Sequence, residues 1–258
     1  MKSLFSIACL FVMVVIYSAT VTWTGEAGDG LWFTAGNWDT GAVPEASDDV
    51  IINSGDVSYI PGGDWSPSGT VFIGKNASWT QTGGAWPNIT GTIIVEGSMD
   101  FGTAGQIRFN NGASLVLEKG ASLSCTGSLN INSGSSITFN DEITVSVGNL
   151  TMASDSSLKL YGGSLNDTGS YSLRANDIYG GGTYSVASEL QWSTEVEISG
   201  TVFTCSILAS QNTAGILNLS AGGIITTGTN HGSYWQSGSS FINFTPKSTG
   251  FVVLASAT

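Results

Sequence analysis

Hydrophobic residues recur along this chain with two periods at once. Within short segments they alternate with polar residues, and the segments themselves return at a near-constant interval. Ile93, Leu115, Ile137 and Leu158 each open an apolar-x-apolar motif: Ile93-Ile94-Val95, Leu115-Val116-Leu117, Ile137-Thr138-Phe139 and Leu158-Lys159-Leu160. Their sequence numbers differ by 22, 22 and 21. A second series runs Ile107-Arg108-Phe109, Leu129-Asn130-Ile131, Leu150-Thr151-Met152 and Tyr171-Ser172-Leu173. A third aligns Met99 and Phe101 with Ala121 and Leu123, and these with Ile143 and Val145. Gly, Ser and Asn separate the segments. Alternation of period two predicts strands with one buried face. A fixed period of roughly 20–50 residues predicts stacked units. Three short strands per coil predict an all-β fold, a single-stranded, right-handed parallel β-helix. The leucine-rich repeat has a similar period, but its Leu-x-x-Leu-x-Leu ladder is absent here. Val71 stands one such interval before Ile93, so the period extends back to it.

The pattern divides the chain into three parts. Residues 1–20 read as a secretory signal peptide, with Lys2 as the basic start, an apolar run from Leu4 to Ile16, and small residues at Ser18-Ala19-Thr20. The apolar run is short for a membrane span. The mature protein is therefore expected to be secreted, extracellular or at the cell surface, with no stable membrane span. Residues 21–66 read as an N-terminal cap with the first strands, and residues 67–258 as the β-helix. Beyond Tyr179 the period loosens at Gly180-Gly181-Gly182.

Composition narrows the partners. Gly accounts for 35 of 258 residues, which suits a fold made largely of tight turns. The net charge of −12 and the seven scattered Lys and Arg residues exclude nucleic acid, because phosphate binding needs clustered cations. Cys125 alternates with Leu123, and Cys205 with Phe203, so both are expected inside and several coils apart. That separation exceeds the roughly 7 Å Cα limit for a disulfide. Two free, buried thiols are expected.

The segment 21–65 has a different texture. It reads Trp23-Thr24-Gly25, then Gly28-Asp29-Gly30-Leu31-Trp32, Asn37-Trp38, Val43-Pro44 and Asp48-Asp49-Val50-Ile51-Ile52. In this order these elements resemble the opening of large secreted β-helix proteins of bacteria, the autotransporter-passenger-like and adhesin-like surface proteins. The resemblance implies a first coil leading into stacked strands; it brings no catalytic residues. The C-terminal part shows neither strands long enough for a translocating barrel nor an apolar helix followed by basic residues. The usual membrane attachment of such proteins is not expected.

Candidate chemistry is sparse. Six of the eight Trp lie between Trp23 and Trp86. Trp23, Trp32 and Trp38 are expected to close the end of the core, as terminal coils of solenoids require. Trp79 and Trp86 fall near turns and are the candidates for exposed, sugar-stacking aromatics. Asp48 and Asp49 either hold calcium, the one cofactor the sequence offers, or cap the turn before the next strand. Asp29, between glycines, reads as a turn former. Glu195 and Glu197 lie two apart on one strand, a spacing that any outward pair satisfies and that does not define an acid/base pair. His231 is the only histidine and reads as part of a turn, and no nucleophile elbow accompanies it. Arg174 near Asp177 is the sole hint of a lyase-like arrangement. Six Asn-x-Ser/Thr sites occur, at Asn76, Asn88, Asn149, Asn166, Asn218 and Asn243. The apolar strand Phe251, Val252, Val253 and Leu254 is an edge that could pair with a second chain.

These features predict a secreted structural or adhesive protein of the cell surface or extracellular matrix, acting through the outer faces of a β-helix rather than as an enzyme. Two alternatives stay open: a carbohydrate-binding or polysaccharide-degrading β-helix protein, and a subunit of an extracellular filament. The expected partners are a polysaccharide or cell-surface glycan and, through end-to-end self-association, further copies of the chain.

Overall fold

Alternating residues form strands, and the strands stack in register. The computed structural model describes residues 18–60, 66–83, 87–102, 105–153 and 155–168, and beyond them the strands between 177 and 253. It is an all-β, parallel β-solenoid with one short 3-10 turn at Ala35–Asn37. On the first face, Val21 pairs with Val50, and the column continues through Val71, Ile93, Leu115, Ile137 and Leu158 to Ile178 and Ile198. The interval read from the sequence is thus the length of one coil, and the motifs it relates form one physical column. Past Leu158 the ladder stays parallel while the coils, from Leu158 to Ile178 and on to Ile198, become slightly shorter.

Each strand shows the same accessibility alternation. In Thr92–Val95 and Ser114–Leu117 every second residue is buried and its neighbour half-buried. The inward residues Ile93, Val95, Leu115 and Leu117 have no exposed surface. Full burial of such a side chain contributes roughly 1.5–3 kcal/mol. The β-branched residues at these positions also fit the pleat. The third face stacks Ile89, Phe109, Ile131 and Met152. The second stacks Val57, Trp79, Met99 and Leu123.

That second column corrects one alignment. Met99 pairs with Leu123, not with Ala121. The coil between them is longer than the expected interval of 22 residues by one inward and one outward position. An even insertion keeps every side chain on its own face, so the core is undisturbed.

Corners need glycine where coils approach closely. A Cβ on Gly97 would stand 2.3 Å from the carbonyl oxygens of Ala77 and Gly74, and one on Gly148 2.1 Å from that of Thr126. Gly148 also marks the register shift where Ser122–Ile131 and Thr144–Met152 bend from the second face to the third.

The N-terminal end is closed by aromatic rings. Trp38 packs edge-on against Trp23 and Trp32, at 4.9 and 4.8 Å between centroids. All three rings are buried. The series continues inward from Trp32 through Tyr59 and Trp79 to Phe101, with centroids 5.9, 5.7 and 5.5 Å apart in turn. Among the described residues no helix is long and apolar enough to cross a membrane.

Candidate ligand-binding cleft and outer faces

The cap is fixed by two residues of the N-terminal motifs. Oδ1 of Asp29 accepts hydrogen bonds from the Leu31 backbone N–H at 2.9 Å and from Asn37 Nδ2 at 2.6 Å. Its Oδ2 accepts one from the Thr34 hydroxyl at 2.6 Å. Asn37 is fully buried; its Nδ2 also donates to the Leu31 carbonyl, and its Oδ1 accepts from the Ala27 N–H. The Thr34 hydroxyl, then the Leu31 N–H and Asn37, hold the Asp29 carboxyl below the usual carboxylate range. Trp38 Nε1 donates to the Trp32 carbonyl at 2.8 Å. The loop that carries Trp32 and Phe33 is therefore pinned from both ends. Asp29 is the turn former the sequence predicts.

Against this loop lies a cleft of about 210 Å³, open on one side. Phe33, Tyr59, Pro44 and Pro67 are among its apolar lining residues, and Glu45 and Asp48 are its acidic ones. Phe33 is half exposed, yet its ring is backed by that of Tyr59 at 5.1 Å between centroids. Among the described lining residues there is no Lys, Arg or His.

The predicted site residues distribute differently from the expectation. Trp79 is fully buried in the second-face column, paired with Val57 and Met99, and cannot stack an external sugar. Its parity decides this: it alternates with Ala77 and Gln81, both inward. Trp86 lies outside the described residues. Asp48 is at the cleft, but its Oδ1 accepts from the Ala19 N–H and its Oδ2 from the Glu45 N–H. Asp49 Oδ1 accepts from the Thr70 N–H at 2.7 Å. Asp48 thus ties its own turn at Glu45 to Ala19 of the preceding coil, while Asp49 reaches the Thr70 N–H one coil on rather than its own turn. Among the described residues no three His, Cys, Asp or Glu side chains converge as metal ligands. Phe251–Val253 forms a strand stacked on Ile224–Thr227. Leu254, His231, Arg174 and the side chains of Glu195 and Glu197 lie outside the described residues.

The outer faces carry two patterns. Polar side chains one coil apart bond to each other: Asn132 Nδ2 donates to Asn110 Oδ1 at 2.6 Å, Asn140 Nδ2 to Glu118 Oε1 at 2.8 Å, and the Thr151 hydroxyl to Asn130 Oδ1. The outward column of the first face is apolar over four coils. It reads Ile51, Phe72, Ile94 and Val116 before turning to Thr138 and Lys159. All four apolar residues are half-buried. A rim of Thr70, Thr92 and Ser114 accompanies them.

The fold and cleft define a parallel β-solenoid with an aromatic cap. No family model matches the chain, and no curated protein or solved structure does either.

Two features escape a reading of the sequence. Phe33 and Tyr59 meet only because the cap loop folds onto a coil, and no period connects them. Asp167 is buried because it shares the inward parity of Leu165 in Ser164–Asp167; that parity was the available signal, and the residue's charge concealed it.

Proposed function

We propose that the protein is a secreted structural or adhesive component of the cell surface or extracellular matrix. In this reading the solenoid is a stiff scaffold and its outer faces make the contacts. The apolar stripe Ile51, Phe72, Ile94 and Val116 carries the proposal. Four outward apolar residues in one column, about 4.8 Å apart, form a flat strip that a stable soluble sheet would more cheaply make polar. Main-chain ladders above and below every coil hold that strip rigid, so contact costs little conformational entropy.

The test compares wild type with an Ile94→Lys, Val116→Lys variant, both produced with residues 1–20 in a secreting host. The expected result is export of both, equal melting temperature, and weaker retention of the variant on the producing cells' surface. Retention of wild type inside the cell, or equal surface retention of the two proteins, would overturn the reading.

A further inference from the structure

We propose that the cleft beside the cap binds a neutral hexopyranose unit of a glycan chain, with Phe33 as stacking platform and Glu45 as hydroxyl acceptor. The inference rests on the extracellular reading only in that such chains are met there.

Phe33 carries the most weight. A solenoid with an unbroken core has no shortage of apolar surroundings, yet this ring is left 50 % exposed. It is not loose. The residue before it belongs to the Trp cluster, and the residue after it bonds to Asp29. Tyr59 backs the ring from the core side. A half-exposed ring braced against Tyr59 at a 48° tilt is a preorganised platform, and docking on it costs little ordering.

The chemistry of the walls points the same way. Pro44 and Pro67 continue the apolar lining, and Glu45 and Asp48 are its acidic residues. Asp48 is engaged through both oxygens by backbone N–H groups, which leaves Glu45 as the acceptor for a ligand. A pyranose matches this division, since its ring presents C–H groups on one face and hydroxyl donors around the edge. An anionic sugar does not match. The described lining residues offer no cation to meet it, and the chain's net charge of −12 repels it.

Size agrees with a single ring. At about 210 Å³ the cleft falls below the roughly 300 Å³ at which sites for drug-sized ligands begin. A small organic cation is the competing occupant, since aromatic rings beside carboxylates also attract quaternary ammonium groups.

The experiment is calorimetric titration of the full chain with neutral gluco-, manno- and galacto-hexasaccharides, a hexuronate oligosaccharide, and choline. At least one neutral hexasaccharide should bind, and the hexuronate and choline should not. Phe33→Ala should weaken that binding by about tenfold or more, and Glu45→Gln by a smaller factor, both at unchanged melting temperature. Phe33→Tyr should restore it. Failure of every neutral hexasaccharide, unchanged affinity in Phe33→Ala and Glu45→Gln, or binding of choline or the hexuronate in their place would overturn the proposal. Surface retention of Phe33→Ala, measured beside the stripe variant, separates the two ideas. A silent cleft with stripe-dependent retention removes the sugar site and leaves the adhesive reading standing.

Discussion

The hydroxyl of Tyr184 donates a hydrogen bond to Oδ2 of Asp167 at 3.3 Å, inside the solenoid core. The same oxygen accepts the backbone N–H of Leu150 at 3.0 Å. Asp167 sits in a column with Cys125 and Val147 before it and Val186 after it, where an apolar residue is otherwise the rule. A buried carboxylate is tolerated only when donors surround it. Here they come from two neighbouring coils, next to the register shift at Gly148.

Asp167→Ala should therefore cost about 3 kcal/mol or more, because it leaves two buried donors without this acceptor. Tyr184→Phe removes one donor and should cost about 1 kcal/mol. Chemical denaturation measures both. An Asp167→Ala protein as stable as wild type would refute the role of this oxygen. Burial, then the Asp167 charge, pushes the Tyr184 phenol well above its ordinary value of 10.0. The fold favours the neutral phenol, so this contribution is complete below about pH 10 and falls as pH rises above it. The alkaline loss of melting temperature should be shallower in Tyr184→Phe than in wild type.

Cys125 should be chemically silent in the folded chain. Burial pushes its thiol up to about 11 from 9.0. The thiolate is the reactive species, so at pH 8 its population falls about a hundredfold below that of an ordinary thiol, before access is considered. In a Cys9→Ser, Cys205→Ser variant an aromatic disulfide reagent should label nothing until denaturant is added. Prompt labelling of the folded variant would contradict the burial. The register sets Cys205 four coils from Cys125, through Val147, Asp167 and Val186. At about 4.8 Å per coil that is far beyond disulfide reach.

What the sequence revealed depended on constancy of spacing. Ile93, Leu115, Ile137 and Leu158 stack as their spacing says, because each coil between them has nearly the same length. Met99 to Leu123 broke that rule through an even insertion, which parity alone does not register. Trp79 was legible in hindsight, since it follows Val57 by one full coil and shares its inward parity. The cleft was not. Phe33 reaches Tyr59 through a non-periodic loop, and the Asp29–Asn37 bond that fixes this loop is a three-dimensional fact.

Corner glycines should be intolerant in proportion to the contact they avoid. Gly97→Ala drives a methyl group into two main-chain carbonyls, which cannot retreat without breaking the ladder. The expected loss is about 2 kcal/mol or more. Gly36→Ala is the matched control: its Cβ would meet only the Ala27 methyl at 3.6 Å, an ordinary contact. That change should stay within about 0.5 kcal/mol. Thermal melts of the two variants side by side decide it, and equal melting temperatures would show that the corner can relax.

Calcium at Asp48 and Asp49 is open to a direct test. A cation binds where carboxylate oxygens are free to converge on it. Here Asp48 joins Ala19 to Glu45, and Asp49 reaches across to Thr70 in the next coil. If these bonds are their role, adding a calcium chelator should leave the melting temperature of wild type unchanged. Asp49→Ala should lower stability by about 1–2 kcal/mol in calcium and in chelator alike, because the bond lost is to the Thr70 N–H. If the pair holds calcium instead, the chelator should lower the wild-type melting temperature. The Asp48→Ala and Asp49→Ala proteins should then no longer respond to it. A double variant separates the cases further. Two independent caps should add, whereas two ligands of one ion should not, since either change alone already releases the metal.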